Sequence, residues 1–149
     1  MIDVIDGNLF DGKFDILINT VNCQGVMGKG IALEFKKRYP KMFREYRKIC
    51  LRKELNPGDI WVWKHDNEWV INFATKDQWR FPSKYSYIDS GLNKLKDYLI
   101  QFENISIAIP PLGCGNGGLD WKIVCEKTIK ELSGLKCDIF LFSPVSVLK

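Results

Sequence analysis

Twice in this sequence a short apolar run gives way to a glycine-rich stretch that leads straight into helical spacing. NCQGVMGKG at 22–30 follows DILINTV, and PPLGCGNGGLD at 110–120 follows SIAI. Residues 113–118 alone hold four glycines. Lacking a Cβ, glycine reaches positive φ and lets a ligand come close to the main-chain N–H groups, at an entropic cost on folding. Strand, glycine loop and helix in that order also fix a geometry. The loop lies at the strand's carboxyl end, and the helix that follows offers free N–H groups and the positive end of its dipole, which favour anions. Tight turns without a ligand are the plain alternative, but two such loops at equivalent positions point to a ligand with two phosphates.

Around these loops the periodicity alternates. Residues 2–5 and 15–22 predict strands, and GKGIALEFKKRY predicts a helix stopped by Pro40, with a second helical piece to about Cys50. DIWVWKHDNEWVINF predicts two short strands around a polar turn at 65–67, a hairpin. Tyr85, Ile88, Leu92, Leu95 and Leu99 share one helical face. Residues 106–109 predict a short buried strand. Trp121, Val124, Cys125, Thr128, Ile129 and Leu132 trace a last helix, and DIFLFS from Asp138 a last strand. Strands alternating with helices predict an α/β fold, a three-layer α/β/α sandwich, and the hairpin makes its central sheet mixed. A chain of 149 residues, 46% apolar, suits one domain over 1–149. In such sheets ligands bind beyond the carboxyl ends of the strands.

Several function classes drop out. Gly113, Gly115 and Gly118 match G-x-G-x-x-G, but only one helix and one strand follow, and Pro110 and Pro111 separate strand from loop, so the context is not a dinucleotide-binding unit. GVMGKG lacks the Lys-Ser/Thr of a P-loop. Five cysteines without a CxxC pair indicate neither a disulfide framework nor a zinc site, so no metal and no cofactor are expected. Cys114, between glycines at a helix entrance, could have a depressed pKa, although a structural role is expected. His65, the only histidine, stands in a polar turn and gives no Ser-His or Cys-His pair. Trp61, Trp63 and Trp69 read as packing residues. No apolar run approaches the roughly 20 residues of a membrane span, and MIDVIDGNLF lacks the regions of a signal peptide. The expectation is a cytoplasmic monomer with no membrane partner. Residues 36–53 hold nine Lys or Arg against the single acid Glu45, a local charge of +8 in a chain of net +4. Such a stripe, with Tyr39, Phe43 and Tyr46 interleaved, either tracks a phosphate backbone or is a solvated helix face whose aromatics point inward.

GNLF, LINTVNCQGVMGKGIALEFKKRYP, NFATKDQWR and IAIPPLGCGNGGLDW together resemble a macrodomain, the fold that binds ADP-ribose, nearly end to end. In detail the chain is similar to the branch containing the DarG-type antitoxin macrodomains, which strip ADP-ribose from DNA, and the terminal ADP-ribose protein glycohydrolase, which strips it from acidic side chains. The resemblance implies a site. The turn Gly7, Asn8 and Leu9 meets the adenine end; many macrodomains have aspartate where Asn8 stands, but an amide oxygen can also accept a bond from the adenine amine. Asn22 with Gly28, Lys29, Gly30 and Ile31 lines the distal ribose and one face of the diphosphate. For Lys29 a solvated helix-start role is the alternative. Pro111, Leu112, Gly113 and Cys114 lead into Gly115, Asn116, Gly117, Gly118 and Leu119, whose N–H groups serve the other face.

The resemblance places the chemistry on Lys76, where related hydrolases carry a lysine that attacks the anomeric carbon of the distal ribose or assists departure of the attached group. An amine whose pKa is lowered by desolvation or a nearby cation can form a Schiff base with an opened sugar. The protein-acting relative has an aspartate where this chain has Gly117, whereas the DNA-acting relatives share GCGNGGL, which favours an ADP-ribosylated nucleobase. Asp120 reads as a helix cap. Trp79 and Arg80 could hold a base, with a packed tryptophan as the default. The expected function is an ADP-ribosyl hydrolase acting on ADP-ribosylated nucleic acid or protein. A non-catalytic ADP-ribose reader and an ADP-ribose 1″-phosphate phosphatase are the alternatives.

Overall fold

A computed structural model describes residues 1–144, so the last five residues of the expected 1–149 domain lie outside the described ones. The elements run β1 (Ile2–Ile5), β2 (Ile16–Val21), α1 (Gly30–Arg38), α2 (Pro40–Leu51), β3 (Ile60–His65), β4 (Glu68–Ala74), α3 (Tyr85–Leu99), β5 (Ser106–Ile109), α4 (Trp121–Leu132) and β6 (Asp138–Phe142). Pro40 separates α1 from α2 by standing at the start of the second, where its missing N–H costs nothing. The hairpin closes through Asp66 and Asn67, between His65 and Glu68, which pair, and Asp66 takes the positive φ of 53° that such a short turn needs.

All six strands form one sheet in the order β1-β6-β5-β2-β4-β3. Every neighbouring pair is parallel except β3 with β4, which makes the sheet mixed, with β3 as its antiparallel edge. Side chains alternate across it. Ile16, Ile18, Ile71, Phe73, Ile107 and Ile139 pack with Ile88, Leu92 and Leu95 of α3 and Val124 and Leu132 of α4. Leu17, Val21, Val70, Ala74, Ala108 and Phe140 pack with Phe35 of α1 and Met42, Tyr46 and Cys50 of α2. The fold is therefore a three-layer α/β/α sandwich with two cores. One polar pair interrupts the second core: Asn19 and Asn72, in register on β2 and β4, are both fully buried and bond to each other at 3.1 Å.

The stripe on α4 is narrower than the sequence suggests. Val124, Thr128 and Leu132 are buried, but Ile129 is exposed, because only a spacing of four residues faces the sheet and α3 here. Among the described residues no helix is long and apolar enough to cross a membrane.

The connections position the site. β2 and β5 lie side by side. The chain leaves β2 for α1 on one face and leaves β5 for α4 on the opposite face. Such a divergence between neighbouring parallel strands opens a crevice at their carboxyl ends. The loops after β1, β2, β4 and β5, which carry all the candidate residues, end on that one edge.

Candidate functional site

The loop after β2 is shaped by Asn22. Its side-chain oxygen accepts from the N–H of Gln24 at 2.9 Å and of Val26 at 3.4 Å, while its amide donates to the carbonyl of Val26 at 2.8 Å. From α2 the hydroxyl of Tyr46, itself fully buried, donates to the carbonyl of Asn22 at 2.6 Å, with the side-chain oxygen at 3.0 Å. Met27 plugs the middle of the loop into the core. Gly25 takes a φ of 87° and packs against Arg47 and Cys50. The loop is thus held from beneath, and its far end opens into α1. There Lys29 occupies the cap position without a side-chain cap bond, so among the described residues no side chain caps the first-turn N–H groups of Gly30 and Ile31. Lys29 does start the helix; its charge also reaches Lys76.

The loop after β5 has a different construction. Cys114 donates its N–H to Pro111, Gly118 to Gly115 at 3.2 Å and Leu119 to Gly113 at 2.9 Å, so these groups are used within the loop. The N–H groups of Gly115, Asn116 and Gly117 have no hydrogen-bond partner among the described residues. Successive unpaired N–H groups of this kind are donors that an anion can accept from. Its glycines have separate tasks. A Cβ on Gly115 or Gly118 would meet nothing within 4 Å, whereas one on Gly117 would strike the carbonyl of Gly113 at 2.3 Å and the hydroxyl of Ser83 at 2.4 Å. Gly117 is bare for packing; Gly115 is bare on the open side. Leu112 and Gly113 are buried, and Pro111 is half-buried. Asp120 caps α4 by accepting from the N–H of Lys122 at 2.8 Å, the role its position suggests.

The two loops meet over the crevice: a methyl group on Gly30 would lie 4.0 Å from the side-chain nitrogen of Asn116. On the same edge, Lys76 follows β4 by two residues and its Nζ donates to the carbonyl of Trp79 at 3.2 Å. Partial burial, and after it the charge of Lys29, holds its amine below the usual lysine range. At the β1 end, Asn8 is exposed and its side-chain oxygen already accepts from the N–H of Phe10 at 2.9 Å, leaving one lone pair. Leu9 is buried, so it offers the edge only its backbone.

Cys114 has the inert environment of a structural cysteine: desolvation, with the charges of Asp120 and Cys125, pushes its thiol up to about 12, and the Sγ donates to the carbonyl of Leu112 at 3.3 Å. One expectation is corrected. Trp79 is not packed away but 47% exposed, because its backbone rather than its ring is what the neighbouring loop holds. Three structural residues leave little trace in the sequence: Gln24, Tyr46 as a loop anchor, and Ser83. Ser83 is buried under the second loop, donates its N–H to Gly117 at 3.0 Å, and has no hydroxyl partner among the described residues. Only Tyr46 carries a signal, as a hydroxyl on the buried stripe Met42, Tyr46, Cys50 that needs an acceptor. His65 lies in the hairpin at the opposite edge of the sheet, near Lys41 and Asp66. Among the described residues no three His, Cys, Asp or Glu side chains converge to hold a metal ion.

Comparison with known proteins adds to this geometry. Residues 18–128 match the Macro domain family. The chain is 44% identical to a DNA ADP-ribosyl glycohydrolase of Mycobacterium tuberculosis over 97% of this chain and 42% of that protein, so it spans less than half the length of the curated relative it matches. The solved macrodomain of Mycobacterium tuberculosis DarG superposes with a TM-score of 0.90 at 45% identity, covering 97% of this chain and 98% of that one. A Thermosipho africanus DarTG structure in complex with ADP-ribose superposes with a TM-score of 0.82 at 30% identity, covering 94% of this chain and 41% of that one.

Proposed function

The chain belongs to the Macro domain family, and on that premise we propose that it is an ADP-ribosyl hydrolase whose substrate is an ADP-ribosylated nucleobase. What carries the reading is a single arrangement. Open N–H groups on two glycine loops face each other across the crevice, and an amine of lowered pKa stands on the same edge. The first turn of α1 takes one face of the diphosphate; the N–H groups of Gly115, Asn116 and Gly117 take the other. Asn22 acts through the loop it shapes. Asn8 and the backbone of Leu9 serve the adenine end, while Gly28, Lys29 and Ile31 border the distal ribose. Pro111, Leu112 and Cys114 set the approach to the second loop, and Gly118 and Leu119 its exit.

Lys76 supplies the chemistry. Its neutral amine forms a bond to the anomeric carbon as the bond from that carbon to the base nitrogen breaks, and the departing base takes up a proton. The ring opens to a Schiff base, and water then hydrolyses it, releasing ADP-ribose and restoring the amine. A pure reader of ADP-ribose needs no amine there. The acidic-protein substrate is disfavoured by the second loop. Where the resemblance puts an aspartate in the protein-acting relative, this chain has Gly117, and a Cβ there would overlap Gly113 and Ser83. Parallel incubation with ADP-ribosylated DNA, ADP-ribosylated glutamyl protein and ADP-ribose 1″-phosphate tests the proposal. Release of ADP-ribose from the DNA supports it; release from the other two alone refutes it.

A further inference from the structure

Among the described residues nine large apolar side chains are exposed, and the two aromatic ones stand together just after the reactive lysine: Trp79 is 47% exposed and Phe81 49% exposed. The Trp79 backbone is fixed on both sides. Its N–H donates to the side-chain oxygen of Gln24 at 3.2 Å, and its carbonyl accepts from Lys76 Nζ at 3.2 Å. The segment is tied once more where the N–H of Cys23 donates to Asp77 at 2.9 Å. An indole held this firmly by its main chain, in a residue about half exposed, is a platform rather than a core residue. The guanidinium of Arg80 lies 5.6 Å from the ring centroid, so a flat cation flanks the flat ring.

Gln24 connects the platform to the basic segment. It also lines a groove of about 360 Å³ between the first loop and the helices α1 and α2, whose walls include Lys36, Phe43, Arg47 and Leu51. All nine basic residues of 36–53 are exposed. Lys36 and Arg47 of the groove and the exposed Trp79 are thus joined through Gln24, and cations beside an aromatic ring are the combination that binds a nucleic-acid strand, phosphates on the cations and a base on the ring. A peptide bearing an acidic side chain would have no use for the stacking surface.

Resting on the nucleobase reading above, we propose that Trp79 is the stacking platform for the nucleobase that leaves the distal ribose, and that it sets the enzyme's preference for that leaving group. The carbonyl of Trp79 accepts from the Lys76 amine, so the residue that carries the indole is anchored at the amine assigned to the chemistry.

The test compares the full chain with Trp79→Leu and Trp79→Phe on an ADP-ribosylated oligonucleotide, with ADP-ribose affinity measured alongside. Base–aromatic stacking corresponds to about 5- to 150-fold per base. Trp79→Leu should therefore lower kcat/KM by about 10- to 100-fold, chiefly through KM, and Trp79→Phe should recover most of it, while both bind free ADP-ribose within about twofold of the parent. A Trp79→Leu variant with the parent's kcat/KM, or one whose affinity for free ADP-ribose falls in parallel, overturns the platform alone. A parent that leaves the oligonucleotide untouched but cleaves ADP-ribosylated glutamyl protein overturns the nucleobase reading and the platform with it.

Discussion

The hydroxyl of Tyr46 on α2 bonds to the carbonyl of Asn22 at 2.6 Å, tying the basic helix to the first glycine loop from inside the core. Burial, with Cys50 beside it, pushes the phenol's pKa up, so it remains a donor at every working pH. Tyr46→Phe removes that donor and leaves a buried acceptor unpaired, at a cost of about 1–3 kcal/mol. The expected result is a Tm lower by several degrees together with weaker ADP-ribose binding, read by thermal shift and calorimetry. Unchanged affinity in a folded variant would show that the loop keeps its shape without Tyr46.

Lys76→Ala should abolish hydrolysis while keeping ADP-ribose affinity within a few fold, because in the proposed reading main-chain groups on other loops hold the diphosphate. Borohydride should trap an adduct on the parent only. In the proposed mechanism the amine acts when neutral, and its pKa lies below the ordinary value of 10.5, so kcat should climb with pH through that lowered value. Lys29→Ala removes a neighbouring positive charge, which raises the Lys76 pKa. The rise in kcat should then move to higher pH. A pH profile that shifts downward or stays in place would remove Lys29 from this role.

The glycines of the second loop should separate by variant. Gly117→Ala forces a Cβ to 2.3 Å from the Gly113 carbonyl, so it should lower Tm and distort the loop. Gly115→Leu has free space around its Cβ. It should keep the parent's circular dichroism and Tm yet weaken ADP-ribose binding at least about tenfold by filling the ligand's side of the loop, the equivalent of about 1.4 kcal/mol. Full affinity in Gly115→Leu would move the ligand away from that residue.

Replacing Arg44, Arg47 and Lys48 together by glutamate should raise KM for an ADP-ribosylated oligonucleotide and flatten its salt dependence, by about 0.7–0.9 in log slope for each phosphate that the segment no longer neutralises. ADP-ribose affinity should change little. Equal KM at every salt concentration would make the segment a solvated face only.

Local signals are legible in the sequence: the strand at Ile2–Ile5, the break at Pro40, the hairpin at 65–67 and the cap at Asp120 each depend on neighbours within a few residues. The gathering of Asn8, Asn22, Gly30, Lys76 and Gly115 on one edge follows from parallel strands and glycine loops. What stays hidden depends on proximity through space. Ser83 meets Gly113 and Gly117 from a loop some thirty residues away, and that approach, with the carbonyl of Gly113 folded back on it, shows that Gly117 serves packing. Gln24 reaches the backbone of Trp79 across a separation of 55 residues, a contact that no local pattern announces, and that residue is 47% exposed. Position at a helix entrance alone would favour a Cys114 thiolate; the desolvation around it, invisible in one dimension, is the larger effect and suits the structural role expected of it.

β2 and β5 run side by side but send the chain to opposite faces of the sheet. A diphosphate gripped by both glycine loops would therefore act as a rivet through the molecule, fastening one helical layer to the other at the edge where the strands end. Amide exchange should then slow in α1 and α4 together, although only their entrances touch the ligand. Occupancy of the crevice would be felt as stiffness throughout the protein, well beyond the atoms that meet the ligand.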